Sequence, residues 1–184
     1  MIDYGRIDRS IKFYESDSFQ RIESPWTVTK DISGITKPKD KPDWEIKGKN
    51  KVLVASGEQS FLYLYLKGFL PKGRYQTITP CFRDEVFDLT HTKYFIKNEL
   101  IITDYVNVES LNSLIESCKK FFESELNREI DIIKTEQGYD LEFEGVEIGS
   151  YGIRKCEYLE WVYGTGLAEP RFSTLLDIIK YKKL

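Results

Sequence analysis

The sequence has little of several features that mark special classes of protein. No run approaches the roughly 20 apolar residues of a membrane-spanning helix, and the first residues lack the apolar core of a secretory signal. The three cysteines, Cys81, Cys118 and Cys156, are widely scattered and show no metal-ligand spacing. We therefore expect reduced thiols in a cytoplasmic protein with no membrane partner.

Strong positive charge is also absent, because the formal net charge is −3 at pH 7. A protein with an extended nucleic-acid-binding surface usually shows a basic balance or a large basic patch. The one dense positive segment is a group of lysines between residues 37 and 51, with acidic residues among them. Such a segment is typical of a solvated loop, and a phosphate-contacting patch stays open as the alternative.

The rest of the composition is typical of one globular domain, with 184 residues, 41% hydrophobic and 31% charged. Apolar residues at helical spacing predict helices over residues 6–16, 61–69, 111–126 and 171–181. Short apolar runs predict strands over residues 19–23, 52–55, 94–103, 130–135, 139–143, 146–148 and 153–156. Together they predict an α+β fold over residues 1–184, an antiparallel sheet with helices packed on one side.

The most informative stretch is a group of charged and aromatic residues, Arg83, Glu85, His91, Phe95 and Glu99. Arg83 and Glu85 are two residues apart, so we expect them on the same face of a strand. A second apolar strand after a polar loop completes a hairpin that presents these groups to a common pocket. The set suits a nucleotide, because a guanidinium binds phosphate, a ring stacks on a base and a carboxylate accepts from an amine.

The order Phe-Arg-Xaa-Glu, a loop, and then His-Xaa3-Phe-Xaa3-Glu resembles motif 2 of the class II aminoacyl-tRNA synthetases. The resemblance implies the catalytic core that these enzymes share with biotin ligases, an antiparallel sheet flanked by helices. It also implies the reaction. The carboxylate of an amino acid attacks the α-phosphate of ATP, pyrophosphate leaves, and the aminoacyl-adenylate passes its acyl group to an acceptor.

The same resemblance implies a role for each residue of the motif. Arg83 holds the α-phosphate and the attacking carboxylate, Glu85 accepts from the adenine amine, and Phe95 stacks on the adenine ring. His91 and Arg171 hold the γ-phosphate of a bent ATP. Arg83 and Arg171 are then the catalytic pair, because this reaction depends on positioning and on charge neutralisation.

The two ends of the chain resemble the other two motifs of the family. A predicted N-terminal helix, a strand and Pro25 are similar to motif 1, which implies a homodimer formed through that helix and strand. Residues 164–171, Gly-Thr-Gly-Leu-Ala-Glu-Pro-Arg, resemble motif 3 and predict a glycine-rich turn that enters a helix at Arg171. The resemblance covers nearly the whole chain and implies a stand-alone core without an anticodon-binding domain.

Residues 139–154 resemble the aspartyl and asparaginyl subgroup of the family. Asp140 and Glu147 match the carboxylates that bind Mg²⁺ in that subgroup, and oxygen ligands are what this ion prefers. Arg154 matches the arginine that holds the side chain of the substrate. The resemblance thus implies both ATP and Mg²⁺ as cofactors.

The amino-acid end of the implied site includes two further carboxylates. Glu58 follows Ser56-Gly57 in the place of the loop that senses the α-amino group, and with Glu99 it would neutralise an ammonium. Phe61 stands where the subgroup has its aspartate-reading lysine, so aspartate specificity is not implied.

We therefore predict an ATP-dependent ligase that activates an amino acid or a similar acid. Its acceptor would be a tRNA acceptor end, a protein or carrier, or ammonia. The alternative is a non-catalytic paralogue that acts as a regulatory or partner-binding protein. The phosphate arginines and metal carboxylates stand at matching spacing, which favours the enzyme. Nucleic-acid binding alone draws support only from the lysine-rich segment and the C-terminal lysines.

Overall fold

The computed structural model describes residues 1–38, 41–84 and 92–181. Its helices are α1 Tyr4–Ser16, α2 Lys30–Thr36, α3 Gly57–Leu66, α4 Val108–Leu126 and α5 Arg171–Tyr181. Its strands are β1 Gln20–Arg21, β2 Thr27–Val28, β3 Val52–Leu53, β4 Arg74–Phe82, β5 Tyr94–Ile102, β6 Asp131–Lys134, β7 Tyr139–Phe143, β8 Val146–Lys155 and β9 Glu160–Glu169. This mixture of helices and strands confirms the predicted α+β class.

One large sheet organises these elements. Its seven strands lie in the order β1-β4-β5-β9-β8-β7-β6, and β2 and β3 form a separate two-stranded sheet. Neighbouring strands of the large sheet are antiparallel, except that β1 pairs with β4 in parallel. The predicted antiparallel sheet is confirmed for the other six strands, and the parallel pair at its edge is an addition.

Both faces of the sheet carry helices. Val162 of β9 packs into a core that includes residues of α1, α4 and α5, whereas its neighbours Trp161 and Tyr163 pack into a second core with α3. Successive residues of a strand point to opposite faces, so these two cores lie on opposite sides of β9. The prediction of helices on one side is therefore wrong, because Phe61 and Leu62 of α3 cover part of the other face.

Side-chain caps set the starts of helices α1 and α4, which begin two and three residues before the predicted positions. The Oδ1 atom of Asp3 accepts from the backbone N–H of Arg6 at 2.9 Å and starts α1. Asn107 caps α4 by accepting from the backbone N–H of Ser110 at 2.8 Å. Helix α4 ends at Leu126, and Asn127 caps it with a left-handed φ of 53°. Even this helix is too polar to cross a membrane, and no other helix in the described residues qualifies.

Helix α3 begins earlier than the apolar pattern predicts. The Ser56 hydroxyl oxygen accepts from the backbone N–H of Glu58 at 3.2 Å, so the helix starts at Gly57 rather than at residue 61. It ends at Leu66, before Gly68 with a φ of 73°. This earlier start places Glu58 in the first turn of a helix. The short helix α2 was not predicted at all.

The glycine-rich segment before Arg171 is a strand, and the prediction of a turn there is wrong. Gly164 and Gly166 lie within β9, where the backbone passes close to two tyrosine rings. A Cβ atom would lie 2.6 Å from Tyr151 at Gly164 and 2.7 Å from Tyr14 at Gly166. These glycines therefore make room for buried aromatic rings. Strand β8 likewise runs unbroken where two shorter strands were predicted, so the turn predicted between them is also wrong.

Candidate functional site

A cavity of about 320 Å³ lies where the end of β4 and the starts of α3 and α5 meet strands β5, β8 and β9. Its lining includes six of the residues singled out from the sequence: Glu58, Arg83, Phe95, Glu147, Arg154 and Arg171. They come from separate parts of the chain, and the fold brings them to one site. Glu85 and His91 lie outside the described residues.

Arg83 lies at the cavity directly after the end of β4. Its backbone N–H donates to the carbonyl of Lys93 at 2.9 Å, and its Nε donates to the carbonyl of Ala55 at 3.0 Å. The guanidinium carbon lies 5.0 Å from the centre of the Phe95 ring, within the range of a cation–π contact. The β4–β5 hairpin pairs Cys81 with Phe95, which explains why cation and ring meet.

Arg171 lines the same cavity from a different element. It is the first residue of α5, and its Nη1 lies 3.1 Å from Oε1 of Glu147 on β8. The Arg171 side chain is 19% exposed and that of Glu147 is 46% exposed. The predicted phosphate-binding arginine and one predicted metal carboxylate are therefore neighbours at a solvent-accessible edge of the cavity.

Glu58 is a buried carboxylate on the cavity floor. One oxygen pairs with Nη1 of Arg154, and the other accepts from Nε1 of Trp161 at 2.8 Å. Burial raises the pKa of the Glu58 carboxyl above its ordinary value; Arg154 opposes this rise, and nearby Glu99 adds to it. Arg154 also stacks over the ring of Tyr163, with its guanidinium carbon 4.1 Å from the ring centre.

Glu99 lies beneath the cavity floor and is fully buried. Its Oε1 accepts from Nζ of Lys97 at 2.8 Å, and its Oε2 accepts from the Ser56 hydroxyl at 2.7 Å. Both carboxylates proposed to neutralise a substrate ammonium thus already have a cationic partner in the chain. The ammonium-binding role of Glu58 and Glu99 stays a prediction.

Asp140 and Glu147 lie on neighbouring strands. Burial raises the pKa of the Asp140 carboxyl, a hydrogen bond from Ser150 lowers it, and the negative charge of Glu147 raises it again. The described residues contain no group of three or more histidine, cysteine, aspartate or glutamate side chains that could hold a metal. Two carboxylates suit Mg²⁺ when phosphate and water supply the remaining ligands, which is the usual mode for this ion.

Three residues of the site were missed from the sequence: Lys97, Trp161 and Tyr163. Lys97 alternates with Phe95 and Glu99 along β5, and this spacing of two is the signal that identifies it. Trp161 and Tyr163 share the same spacing on β9, but no strand was predicted there, so their common face was not recognised.

The sequence and the fold of the chain are similar to those of known proteins. The chain matches the family model described as "tRNA synthetases class II core domain (F)" over residues 56–183. The chain belongs to this family. The match covers the cavity residues from Glu58 to Arg171. No curated protein shows a significant sequence match to the chain.

Solved structures support the assignment of the fold. The pyrrolysyl-tRNA synthetase of Desulfitobacterium hafniense superposes with a TM-score of 0.75 at 18% identity, covering 95% of this chain and 69% of that one. The seryl-tRNA synthetase of Pyrococcus horikoshii, complexed with ATP, gives a TM-score of 0.75 at 15% identity, covering 90% and 48%.

A cytoplasmic serine-tRNA ligase of Naegleria fowleri in complex with AMP gives a TM-score of 0.70 at 18% identity, covering 91% of this chain. This class II core therefore spans about two thirds of the pyrrolysyl enzyme and just under half of the two seryl enzymes. At such identities the likeness shows the fold alone.

Proposed function

We propose that this class II core is an ATP-dependent ligase that activates a carboxylic acid, such as an amino acid, as an acyl-adenylate. One observation carries the proposal: Arg83, Phe95 and Arg171 come from three separate parts of the chain and line one cavity. An arginine beside an aromatic ring and a second arginine in the same cavity match the phosphates and base of a nucleotide.

Arg83 would bind the α-phosphate and the attacking carboxylate together. Its guanidinium is anchored by the carbonyl of Ala55, which sets its direction before any ligand arrives. A pre-positioned cation stabilises the charge that develops on the phosphate in the transition state. Phe95 would stack on adenine, and Arg171 would bind the terminal phosphate in exchange for its contact with Glu147.

Mg²⁺ fits this site as a ligand shared between protein and phosphates. Asp140 and Glu147 would hold it, and it would neutralise charge on the polyphosphate when bound. Arg171 compensates Glu147 in the chain, and transfer of this arginine to a phosphate would leave the Glu147 carboxylate available to a cation.

The acid-binding end of the cavity lies over the Glu58–Arg154 pair. The likeness of residues 139–154 to the aspartyl and asparaginyl subgroup supports a polar substrate side chain near Arg154. Phe61 points into the core beside Tyr75, with ring centres 6.3 Å apart, so it is not a substitute for a substrate-reading lysine. The acid is accordingly left unspecified, and the acceptor would be a tRNA end, a carrier or another nucleophile.

A homodimer through the N-terminal helix and strand belongs to the same proposal. Strand β1 lies at one edge of the large sheet, and both of its residues are exposed. An edge strand with unpaired backbone groups is a ready site for pairing with a second copy.

Amino-acid-dependent exchange of pyrophosphate into ATP tests the function directly. The assay scans the twenty amino acids with Mg²⁺, with Arg83→Ala as the inactive variant and Arg128→Ala as the matched surface control. We expect exchange with one or two amino acids, lost in the first variant and kept in the second. If MgATP raises the melting temperature but no exchange occurs, a non-catalytic paralogue is favoured. If the protein does not bind ATP, the assignment of the site is wrong.

A further inference from the structure

Arg6 of α1 is a buried arginine that lies outside the cavity and outside the roles assigned so far. Its Nη1 lies 2.5 Å from Oε1 of Glu169 and 2.8 Å from the Ser173 hydroxyl, and its Nε lies 3.1 Å from Oε2 of Glu125. The guanidinium carbon also lies 5.0 Å from the centre of the Phe172 ring. The residue is only 8% exposed.

The partners of Arg6 belong to the junction between β9 and α5. Glu169 is the last residue of β9 and is fully buried, and its Oε2 accepts from the backbone N–H of Ser173 at 3.4 Å. Glu169 precedes Arg171 by two residues, and Ser173 follows it by two. One guanidinium from the N-terminal helix therefore holds the chain on both sides of Arg171.

We propose that Arg6 and Glu169 are positioning residues that hold the start of α5 so that Arg171 faces the cavity. This inference rests on the proposed function for one point, the assignment of Arg171 to the polyphosphate of ATP. A planar guanidinium with several donors fixes two partners at once, which a lysine cannot do in the same geometry. The N-terminal helix thus contributes to a nucleotide site that none of its own side chains lines.

Nearby Arg9 supplies a matched control on the same helix. It also binds Glu125, with two contacts of 2.7 Å, but its side chain is 53% exposed and it has no contact with Glu169. Arg9→Lys therefore perturbs the α1–α4 contact and leaves the β9–α5 junction unchanged. Arg6→Lys perturbs both.

A ligand-free measurement tests the positioning role. The ¹H–¹⁵N heteronuclear NOE of the Arg171 Nε–Hε group, assigned with an Arg171→Lys variant, reports how well that side chain is ordered. We expect a clear drop of this NOE in Arg6→Lys and no change in Arg9→Lys. An unchanged NOE in a folded Arg6→Lys variant overturns the proposal. If Arg6→Lys does not fold, the isosteric Glu169→Gln variant takes its place with the same expectation.

A double-mutant cycle on MgATP affinity tests whether Arg6 acts through Arg171. We expect Arg6→Lys to raise the dissociation constant about fivefold in the wild-type background and less than about twofold in the Arg171→Ala background. Equal effects in both backgrounds overturn the positioning role. If Arg171→Ala binds MgATP as tightly as the wild type, or if the wild type does not bind MgATP, the proposed function is refuted. The NOE measurement then still decides the role of Arg6.

Discussion

The two ends of the cavity differ in how their charged side chains are exposed and paired. At the proposed nucleotide end, Arg83 and Arg171 line the cavity, with an aromatic ring beside the first and a half-exposed carboxylate beside the second. At the floor, Glu58 and Glu99 are buried and are neutralised by Arg154 and Lys97 of the same chain. The first arrangement places cations and a ring at the cavity lining, where an anionic ligand would meet them, whereas the second pairs buried carboxylates with buried or half-buried cations.

From this difference we predict which residues stabilise the fold and which bind a ligand. Removing one partner of a buried ion pair leaves an uncompensated charge in a low-dielectric site, which destabilises the fold. An arginine at the cavity edge keeps access to water, so we expect its loss to cost less stability than breaking a buried ion pair. Four substitutions separate the two effects.

The largest effect is expected at the floor. Lys97→Met leaves the buried Glu99 carboxylate without its cation, and we expect the free energy of unfolding to fall by about 3 kcal/mol or more. Urea denaturation followed by tryptophan fluorescence measures the change. Lys12→Met, which breaks the exposed pair with Asp8, is the matched control and should leave stability within error. Wild-type stability in Lys97→Met would show that the pair is not needed.

At the nucleotide end, Arg83→Ala should lower the rate of adenylation by about 100-fold, because a charge-assisted contact to the transition state is lost. Its denaturation midpoint should stay close to that of the wild type. Pyrophosphate exchange and urea denaturation on the same preparation measure both quantities. If Arg83→Ala lost much stability and little adenylation rate, Arg83 would stabilise the fold rather than serve the reaction.

A smaller effect is expected for the aromatic ring. Phe95→Leu removes the stacking surface and the contact with Arg83, and we expect MgATP to bind about tenfold more weakly. Isothermal titration calorimetry gives the dissociation constant. The neighbouring Tyr94→Leu is the control, because Tyr94 is 60% exposed and does not line the cavity. An equal loss of MgATP affinity in both variants would show that Phe95 does not bind the nucleotide.

The smallest effect is a dependence on pH at the floor. Burial raises the folded-state pKa of Glu58, so the unfolded chain loses this proton first as pH rises. The stability of the wild type relative to Glu58→Gln should be highest below the ordinary glutamate pKa and should fall as pH rises through the raised value. Urea titrations between about pH 4 and pH 7 measure the difference. If the stability of the wild type relative to Glu58→Gln instead increased with pH, the effect of Arg154 on the Glu58 pKa would be larger than that of burial.

The sequence pattern predicted much of the fold where the apolar period was strong. Helix α4 and strand β7 appear where their spacing places them, and Arg171 does begin a helix. Strand β9 was missed because its glycines read as a turn. Those glycines make room for the ring of Tyr151 on the neighbouring strand β8 and for the ring of Tyr14, which is 152 residues from Gly166. Neither contact is visible in the local sequence pattern.

The candidate site divides along the same line. The resemblance to the family placed Arg83, Phe95 and Arg171 in one site, and all three do line one cavity, whereas their roles in binding phosphate and base stay predictions. The partners of Glu58 could not be identified from the sequence, since Arg154 and Trp161 lie about a hundred residues away along the chain. Pairing over such separations depends on strand order, which local propensity does not specify.

The residue order alone was sufficient for the class of the fold and for most of its longer helices and strands. Only the tertiary structure decided that the floor carboxylates are already neutralised and that Arg6 reaches the junction beside Arg171. The physical reason is the range of the forces involved. Caps and periodic burial act within a few residues, whereas the partner of a buried charge is set by which strands and helices pack together.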